Sequence, residues 1–376
     1  MSIRDLSAYD ERGFINWPLI MSFDARYTMI IDARGRGKTF GLRLQCVNDY
    51  IRRGKRFVEL SRVADFLQGD GKLQQGYFDK YYAELPDHKI CRDYLLETRG
   101  KHAYIAKQPE DGTKPTWDVL AYFLALNDAE NIKRRSNSFK PVRRYIFDEA
   151  LIDKTLPGAR YRDYLQGEIS AVASIMTSVG RERPNTPEED RPRLYLLGNA
   201  VDLTCPWLAH MGIRDVPPEG FSWHFNKQCL LWYGPSNREW AAAQDSSVAG
   251  SLMAGSELNQ SSNLNQFSTM DESYFSDVPR GATFSFGVVY QGNTYGVWVD
   301  MSQGYYFVDS RLPKATDNKP IYALTTADAR PNYILARRAQ KSLKGFVDLY
   351  YAGIVKYKDH MTREGFLNAL SLFGVR

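Results

Sequence analysis

The stretch YTMIIDARGRGKTFGLRLQCV, residues 27–47, decides the fold of this chain. It opens with Tyr27–Ile31, an apolar run typical of a buried strand, and residues 40–47 continue it with a helical composition. Between the two, Gly35 and Gly37 have no Cβ, so consecutive backbone N–H groups can surround a phosphate group. A strand, a Gly-rich loop and a helix in this order predict a phosphate-binding loop at the edge of an α/β sheet.

The loop also predicts how a nucleoside triphosphate would bind. The ammonium of Lys38 would reach the β- and γ-phosphates, which makes Lys38 a predicted catalytic residue too, and the hydroxyl of Thr39 would bind Mg²⁺. The helix that begins near Lys38 adds the positive end of its dipole. ATP and Mg²⁺ are therefore the predicted cofactors. The residues predicted to contact the nucleotide here are Asp32, Ala33, Arg34, Gly35, Arg36, Gly37, Lys38 and Thr39.

One position departs from the usual loop. The motif G-x-x-x-x-G-K-[ST] opens with glycine, and Asp32 holds that place here, so the first turn has a different chemistry. Arg34 and Arg36 add two positive charges that can touch phosphate from within the same chain. A G-x-G-K-T segment alone can be a chance loop, so the prediction depends on a second motif.

That second motif is a strand that ends in two carboxylates. Residues 142–149 read VRRYIFDE, an apolar run followed by Asp148 and Glu149. Because side chains alternate along a strand, the two carboxylates leave its end in different directions. We predict that Asp148 supports the metal and that Glu149 is the catalytic base for the attacking water. An isolated Asp-Glu pair is more often a helix cap, but the phosphate loop upstream supports the catalytic interpretation.

Further apolar runs alternate with longer helical stretches in the first half of the chain. Residues 56–60 and 194–197 are the clearest, and residues 102–107 look like an added strand. This alternation predicts a mostly parallel sheet flanked by helices, the α/β architecture of P-loop NTPases. Asn199 follows the run 194–197 and would lie beside the γ-phosphate at the same sheet edge. A turn asparagine is the alternative interpretation.

The character of the chain changes after Asn199. Residues 241–278 are rich in Ser, Asn, Gln and Ala, which predicts a partly helical linker or lid. Runs at 283–290, 294–301 and 305–308 are separated by Gly-containing hairpin signals and predict an antiparallel sheet. Basic helices follow after Arg330. The predicted domains are residues 1–225, a linker or lid over 226–280, and residues 281–376.

Length and composition fit a soluble protein with two domains. Its 376 residues exceed the roughly 250–300 that a single core usually reaches, and 43% are apolar and 25% charged. No run of 18 apolar residues and no secretory signal are present, so we expect a cytosolic protein with no membrane partner. The cysteines lack a C-x-x-C pair, which predicts buried thiols rather than zinc ligands or disulfides. They are Cys46, Cys91, Cys205 and Cys229.

Positive charge concentrates at the end of the chain. The net charge is +5, and nine basic residues stand against three acidic ones from Arg330 to Arg376. A polyanion is the predicted partner, and a solvated helix surface is the alternative. The Gly-rich loop at residues 68–76 carries Lys72 and would face a pore, with a plain surface loop as the alternative. The DNA-binding candidates are Lys72, Arg337, Arg338, Lys341 and Lys344.

Together these motifs resemble the DNA-packaging ATPases of small podophages, the encapsidation motors related to large terminases. The stretches that carry the resemblance are DARGRGKT at 32–39, DVLAYFLALN at 118–127, YIFDE at 145–149, LLGNA at 196–200 and residues 208–213. The resemblance covers about residues 14–215. It implies an additional-strand ATPase that forms a homomeric ring, a pentamer in that family. The ring would dock on the portal of a procapsid in the host cytoplasm and act on double-stranded DNA. A packaging RNA is a further candidate partner.

Ring motors complete each site with a cation from the neighbouring subunit, because charge develops on the γ-phosphoryl oxygens in the transition state. The resemblance implies that Arg181 is this catalytic arginine, with Arg183 as a second candidate. It also implies that the loop from Lys133 to Arg135 assists from the neighbouring subunit. A solvated surface charge is the alternative for each of these residues.

The resemblance implies an RNase H-like C-terminal domain that has lost nuclease activity. A nuclease of this type needs several carboxylates that hold two metal ions. The strand at 283–290 contains no carboxylate, and Asp300 and Asp309 on later strands lack an evident partner set. We therefore expect this domain to contact nucleic acid or the portal.

The predicted function is ATP-driven translocation of double-stranded DNA into a viral procapsid. A helicase or another nucleic-acid-stimulated ATPase is the first alternative, since 13% aromatic residues could supply stacking surfaces for single strands. A nucleotide-dependent assembly protein without catalysis is the second. The presence of Glu149 argues against that second alternative.

Overall fold

The computed structural model describes residues 3, 6–62, 77–109, 113–152, 164–165, 167–201, 203, 205–248, 251, 263–267, 274–314 and 318–372. These residues fall into two compact units. Unit 1 spans Met1–Gly212 and Pro217–Ser268, and unit 2 spans Ile213–Val216 and Thr269–Arg376. The prediction for Lys72 lies outside the described residues.

A mostly parallel sheet organises unit 1. Its strands are β1 (Tyr27–Ile31), β2 (Arg56–Ser61), β3 (Tyr94–Arg99), β4 (His102–Lys107), β5 (Asp118–Ala125), β6 (Val142–Phe147), β7 (Arg193–Gly198), β8 (Gly220–His224) and β9 (Cys229–Tyr233). They are hydrogen bonded in the order β3-β4-β5-β2-β6-β7-β1-β9-β8. The six strands from β5 to β9 in this order are parallel, and β3, β4 and β8 add antiparallel edges. The predicted α/β class is confirmed.

Helices connect these strands. They are α1 (Trp17–Ser22), α2 (Lys38–Arg53), α3 (Asp79–Glu84), α4 (Lys89–Asp93), α5 (Ala129–Arg134), α6 (Glu168–Gly180), α7 (Pro206–His210) and α8 (Arg238–Asp245). The central strands β1, β6 and β7 are buried along almost their whole lengths, as expected of parallel strands covered on both faces. Their apolar sequences therefore reflect burial rather than the alternation of a half-exposed strand.

Helix α1 is fixed against the start of α2. The indole of Trp17 is buried, and its Nε1 donates a hydrogen bond of 2.9 Å to the carbonyl of Lys38. Gly41 allows this contact, because a Cβ there would lie 2.6 Å from the Trp17 ring. The same ring packs edge to face on Tyr195 of β7, with centroids 6.0 Å apart. The buried Trp17 side chain thus fixes the first turn of α2 against β7.

Unit 2 has its own sheet. Its elements are β10 (Thr283–Tyr290), β11 (Asn293–Asp300), β12 (Tyr305–Asp309), β13 (Ile321–Ala323), β14 (Ile334–Leu335), α9 (Ala336–Tyr351), β15 (Val355–Tyr357) and α10 (His360–Ser371). The strand order is β14-β13-β10-β11-β12-β15. The hairpins β10–β11 and β11–β12 are antiparallel, whereas β13 runs parallel to β10 and β14 parallel to β13. This arrangement is that of an RNase H-like sheet, with β15 added beside β12.

The carboxylates at the ends of β11 and β12 are engaged locally. Asp300 accepts hydrogen bonds from the hydroxyl and backbone N–H of Ser302, at 2.6 and 2.9 Å. Asp309 pairs with Arg311 at 3.2 Å. Across the described ranges, no group of three His, Cys, Asp or Glu side chains is arranged to hold a metal ion. The absence of nuclease activity stays a prediction.

The predicted boundary at residue 225 differs from the compact units. It falls in the hairpin between β8 and β9, and the segment from Cys229 to Tyr233 is a sheet strand rather than a linker. The physical reason is its sequence, CLLWY, which is buried throughout and pairs in parallel with β1 from Tyr27 to Ile31. The described part of the predicted linker up to residue 267 belongs to unit 1.

All four cysteines are buried free thiols, as predicted: Cys46, Cys91, Cys205 and Cys229. Burial raises the pKa of the Cys229 thiol to about 12, which keeps it protonated and unreactive at neutral pH. Within the described ranges, none of the helices combines the length and the hydropathy that a bilayer crossing requires.

Gly296 offers a test of packing in unit 2. A Cβ at this position of β11 would lie 2.4 Å from the Trp298 ring and 2.5 Å from the Arg311 carbonyl oxygen. We expect Gly296→Ala to destabilise unit 2 by about 1–3 kcal/mol through overpacking, visible as a lower midpoint of thermal unfolding. Gly281→Ala is the control, because its added Cβ meets no atom within 4 Å. Equal midpoints for the two variants would contradict this packing.

Candidate nucleotide-binding site

The phosphate loop leaves the sheet from β1, which has β9 and β8 between it and one edge. Strand β1 lies between β7 and β9, and residues 32–37 connect it to α2. Gly35 and Gly37 have φ values of +81° and +72°, in the left-handed region that favours glycine. Gly37 is the N-cap of α2, so the positive end of a 16-residue helix adjoins the loop. The backbone geometry is that of an anion-binding turn.

Lys38 lies inside the loop. Its Nζ donates hydrogen bonds to the carbonyls of Asp32 and Ala33, at 2.7 and 2.8 Å. Burial lowers the pKa of Lys38 to about 8, while the charges of Asp32 and Asp148 oppose this shift. Because buried ammonium groups need a compensating partner, the loop carbonyls and these carboxylates favour the charged form. The ammonium is held where the loop would surround a phosphate.

The two motifs predicted from the sequence meet. The hydroxyl of Thr39 donates a 2.7 Å hydrogen bond to Oδ2 of Asp148, 109 residues along the chain. Strand β7 lies between β1 and β6, which is the additional-strand arrangement that the resemblance implied. Burial raises the pKa of the Asp148 carboxyl, and the hydrogen bond from Thr39 opposes the shift. A hydroxyl and a carboxylate therefore converge at the start of α2.

Glu149 follows in a constrained turn. Its φ is +52°, unusual for a residue other than glycine, and its backbone N–H donates a 3.0 Å hydrogen bond to Oδ1 of Asp148. The side chain is exposed at the carboxyl edge of the sheet, beyond the end of β6. Such backbone strain is concentrated at functional sites, where the surrounding structure maintains it.

Arg62 maintains this turn, a role that the sequence analysis missed. It lies just after β2 and donates to the carbonyls of Glu149 and Ala150, at 2.7 and 2.8 Å. Its guanidinium also pairs with Glu168, the first residue of α6, at 2.7 Å. Glu168 in turn accepts a 2.7 Å hydrogen bond from the indole of Trp207. The sequence did contain one indication of this role. Arg62 directly follows an apolar strand, and the carboxyl ends of parallel strands meet at the same sheet edge.

Asn199 and Asp32 are joined at the loop. The Nδ2 of Asn199, just beyond β7, donates a 3.0 Å hydrogen bond to the carbonyl of Asp32. The structure thus places Asn199 beside the phosphate loop, and its role at the γ-phosphate stays a prediction. The carboxylate of Asp32 is fully buried against Tyr9 and Trp232. No sequence signal marked these two aromatic residues, because both are far from Asp32 in the chain. Trp232 reaches it only through the pairing of β9 with β1.

Arg36 differs from its prediction as a phosphate contact. Its guanidinium is buried between the rings of Tyr9 and Trp240, 4.6 and 3.8 Å from their centroids, and donates to the carbonyl of Gly13 at 2.9 Å. The guanidinium is held between the rings because two aromatic faces and a backbone carbonyl stabilise its charge. Arg34, by contrast, is exposed at the loop, where its carbonyl accepts the Trp240 indole N–H at 3.1 Å.

The predicted trans-acting residues lie close together. Arg181 caps the carboxyl end of α6 with φ +52°, is exposed, and donates a 2.8 Å hydrogen bond to the carbonyl of Ser136. Ser136 directly follows Arg135, so the two basic clusters are neighbours. Lys133 lies in the last turn of α5 rather than in a loop, because AENIKR forms a short helix there. Arg183 is exposed in the segment after α6.

Four DNA-binding candidates lie on one helix. Arg337, Arg338, Lys341 and Lys344 all belong to α9. The side chain of Lys344 is exposed, and the other three side chains lie outside what the structure describes. The helix therefore presents at least one of the predicted cations to solvent.

Comparison with known proteins agrees with this geometry. The family model described as Podovirus DNA encapsidation protein (Gp16) matches residues 9–368. The chain belongs to this family. It is therefore a phage DNA-encapsidation protein, which confirms the predicted family and the packaging part of the predicted function.

Two relatives illustrate the extent of the similarity. The DNA packaging protein of Bacillus phage phi29 is 26% identical over 356 residues, covering 94% of this chain and 96% of that protein. The DNA packaging protein of Bacillus phage PZA is 27% identical over 356 residues, which again cover 94% of this chain and 96% of that protein. Both alignments include unit 1 and unit 2, so the similarity is not confined to the phosphate loop.

Two solved structures share the fold. A chain of the bacteriophage Phi-29 viral genome packaging motor assembly aligns with a TM-score of 0.66 and 23% identity, covering 95% of this chain and 99% of that one. A chain of the Phi-28 gp11 DNA packaging motor aligns with a TM-score of 0.58 and 17% identity, covering 98% and 99%. At these identities the likeness concerns the fold alone.

The Arg62–Glu168 pair can be tested by stability. Arg62→Leu leaves the buried carboxylate of Glu168 without its cation, so we expect a loss of about 3–5 kcal/mol in the free energy of unfolding. Urea unfolding followed by circular dichroism measures it. The matched control is Arg99→Leu, which removes an exposed pair with Glu97 at 2.6 Å and should leave the unfolding curve unchanged. Equal curves for Arg62→Leu and the wild type would contradict the assigned contact.

Proposed function

We propose that the chain is the ATP-hydrolysing subunit of a motor that moves double-stranded DNA into a viral procapsid. The observation that carries the ATPase part is the hydrogen bond between Thr39 and Asp148. It brings a phosphate loop and a metal-binding type of carboxylate to one place, next to Glu149. Membership of the encapsidation family supports the packaging part.

The residues at this place fit a nucleoside triphosphate and Mg²⁺. Backbone N–H groups of the loop after Ala33, the amino end of α2 and the ammonium of Lys38 all favour a polyphosphate. Thr39 and Asp148 offer a hydroxyl and a carboxylate oxygen, which are ligand types that Mg²⁺ prefers, and they would hold the ion. When bound, Mg²⁺ neutralises charge on the β- and γ-phosphate oxygens.

Glu149 would act as the catalytic base. Its exposed carboxylate lies next to Asp148, and hydrogen bonds from Arg62 and to Asp148 fix its backbone. A carboxylate held in this way orients a water molecule and accepts its proton. Asn199, which already donates to the loop at Asp32, would respond to the presence of the γ-phosphate.

Arg181 would complete the site of a neighbouring subunit in a homomeric ring, which we propose to be a pentamer. Its exposed guanidinium donates to the carbonyl of Ser136, so Lys133 in the last turn of α5 and Arg135 just after that helix are near it. Several cations together would stabilise the charge that develops on the transferred phosphoryl group. Arg183 is the second candidate within the same segment.

The other proposed partners are the portal, a packaging RNA and DNA, and they are inferred from the family and from the basic residues. We propose that the ring docks on the portal of the procapsid in the host cytoplasm, with a packaging RNA as a further partner. The basic residues of α9 and Lys72 would contact DNA phosphates without reading sequence, so DNA binding would weaken steeply with salt. The RNase H-like unit would provide contact with nucleic acid or portal rather than cleavage.

Glu149→Gln tests the catalytic base. Loss of the proton acceptor should lower DNA-stimulated hydrolysis by about 10²- to 10⁴-fold, because general-base catalysis contributes that much. ATP affinity should be retained, since the phosphate loop is unchanged. Phosphate release and fluorescent-nucleotide titration measure the two quantities. Glu189→Gln, an exposed carboxylate in the segment before β7, is the control. Hydrolysis at the wild-type rate in Glu149→Gln would reassign the role.

Mixing two inactive variants tests action between subunits. Arg181→Ala subunits keep Glu149, and Glu149→Gln subunits keep Arg181. If Arg181 acts on the neighbouring nucleotide, mixed rings contain interfaces with both groups, so phosphate release should recover partially. The control mixes Arg181→Ala with the double variant Arg181→Ala/Glu149→Gln, which creates no complete interface. A mixture no more active than its components would exclude action in trans.

A further inference from the structure

The first residue of the phosphate loop has a buried carboxylate where the usual motif has no side chain. Both oxygens of Asp32 accept from the hydroxyl of Tyr9, at 2.8 and 3.0 Å. The indole N–H of Trp232 donates at 2.8 Å and the backbone N–H of Ala33 at 2.7 Å. These three donors stabilise the fully buried carboxylate, because each hydrogen bond offsets part of the free-energy cost of burying its charge.

The absence of a side chain at Gly234 leaves the space that this carboxylate occupies. Gly234, just beyond β9, lies against it, and a Cβ there would lie 2.5 Å from Cγ of Asp32. Trp232 reaches the carboxylate from β9, the strand that pairs with β1. Tyr9 packs edge to face on Trp232, with centroids 5.5 Å apart at 90°. Three separate segments therefore meet at one side chain.

Tyr9 binds the loop at a second place. The guanidinium of Arg36 lies over its ring, 4.6 Å from the centroid. The same N-terminal segment is tied to the loop by hydrogen bonds of 2.9 Å from the N–H of Ile15 to the carbonyl of Arg36 and from Arg36 to the carbonyl of Gly13. Residues 9–15 are thus part of the wall of the phosphate loop.

Asp32 connects this wall to the phosphate-binding groups. Its carbonyl accepts from Nζ of Lys38 at 2.7 Å and from Nδ2 of Asn199 at 3.0 Å. A glycine at this position would leave the peptide without a side-chain anchor, whereas the buried side chain of Asp32 restricts the orientation of its peptide. The place of the Lys38 ammonium therefore depends on the side chain of Asp32.

We propose that Tyr9 is a positioning residue for nucleotide binding, because its hydroxyl holds Asp32 in the orientation that places Lys38. The inference rests on the proposed ATPase function. Burial and the charge of Asp32 raise the pKa of Tyr9, which keeps the hydroxyl protonated as a donor. The contacts of Tyr9 described above are with Asp32, Arg36 and Trp232, at the loop rather than at the end of β6. Its loss should weaken ATP binding and leave the maximal rate intact.

The experiment is Tyr9→Phe, which removes the hydroxyl but keeps the ring under Arg36. We expect ATP to bind about tenfold more weakly, since hydrogen bonds to charged groups have this magnitude. KM for ATP should rise and the DNA-stimulated kcat should stay unchanged. The matched control is Tyr50→Phe, because Tyr50 donates to Asp118 at 2.6 Å near the other end of α2. This variant loses a similar tyrosine–carboxylate bond and should bind ATP normally.

A double-variant cycle separates positioning from general destabilisation. Asp32→Asn should weaken ATP binding, and Tyr9→Phe should add little in that background, because both changes remove the same interaction. Trp232→Phe removes another donor to the same carboxylate and should act in the same direction. Thermal unfolding of every variant verifies that the chain is folded at the temperature of the titration.

Three results would overturn the proposal. The first is equal ATP affinity in the wild type and Tyr9→Phe, and the second is full additivity with Asp32→Asn. A lower kcat with unchanged KM in Tyr9→Phe would also exclude positioning of the loop. If the wild-type chain binds no ATP at all, the proposed ATPase function fails and this inference fails with it, which is distinguishable from a failure at Tyr9 alone.

Discussion

The hydrogen bond between Thr39 and Asp148 is the contact on which the site depends. It joins residues 109 positions apart. Strands β1 and β6 are parallel with only β7 between them, so their carboxyl ends open on the same edge of the sheet. Ligands of open α/β sheets bind at this edge. Lys38 precedes one partner and Glu149 follows the other, so both proposed roles require this pairing.

Buried charge supports the site on two sides. On one side, the guanidinium of Arg62 pairs with Glu168 and holds the turn at Glu149. On the other, the carboxylate of Asp32 is surrounded by donors and orients the carbonyl that Lys38 contacts. Such groups are costly to bury alone, and each is therefore compensated by several hydrogen bonds. The loop departs from the usual motif only where the surrounding structure supplies those bonds.

Helix α6 relates two parts of the proposed mechanism. It begins at Glu168, the partner of Arg62, and ends at Arg181, the residue proposed to act on the neighbouring subunit. A helix of 13 residues is a rigid connection about 20 Å long. The exposed end of α6 adjoins α5, so the basic residues of both lie on one surface of unit 1. This geometry suits the proposed action of Arg181 on a neighbouring subunit.

The sequence by itself determined the α/β sheet, the phosphate loop, the paired carboxylates and the family, because apolar runs, paired glycines and adjacent carboxylates are local patterns. It also indicated the hairpins of unit 2. Only the tertiary structure decided that the Arg36 guanidinium packs between aromatic rings, that Arg62 donates to the turn at Glu149, and that Tyr9 reaches Asp32. These contacts join segments far apart in the chain, and their geometry exists only after β2, β6 and β9 have taken their places in the sheet.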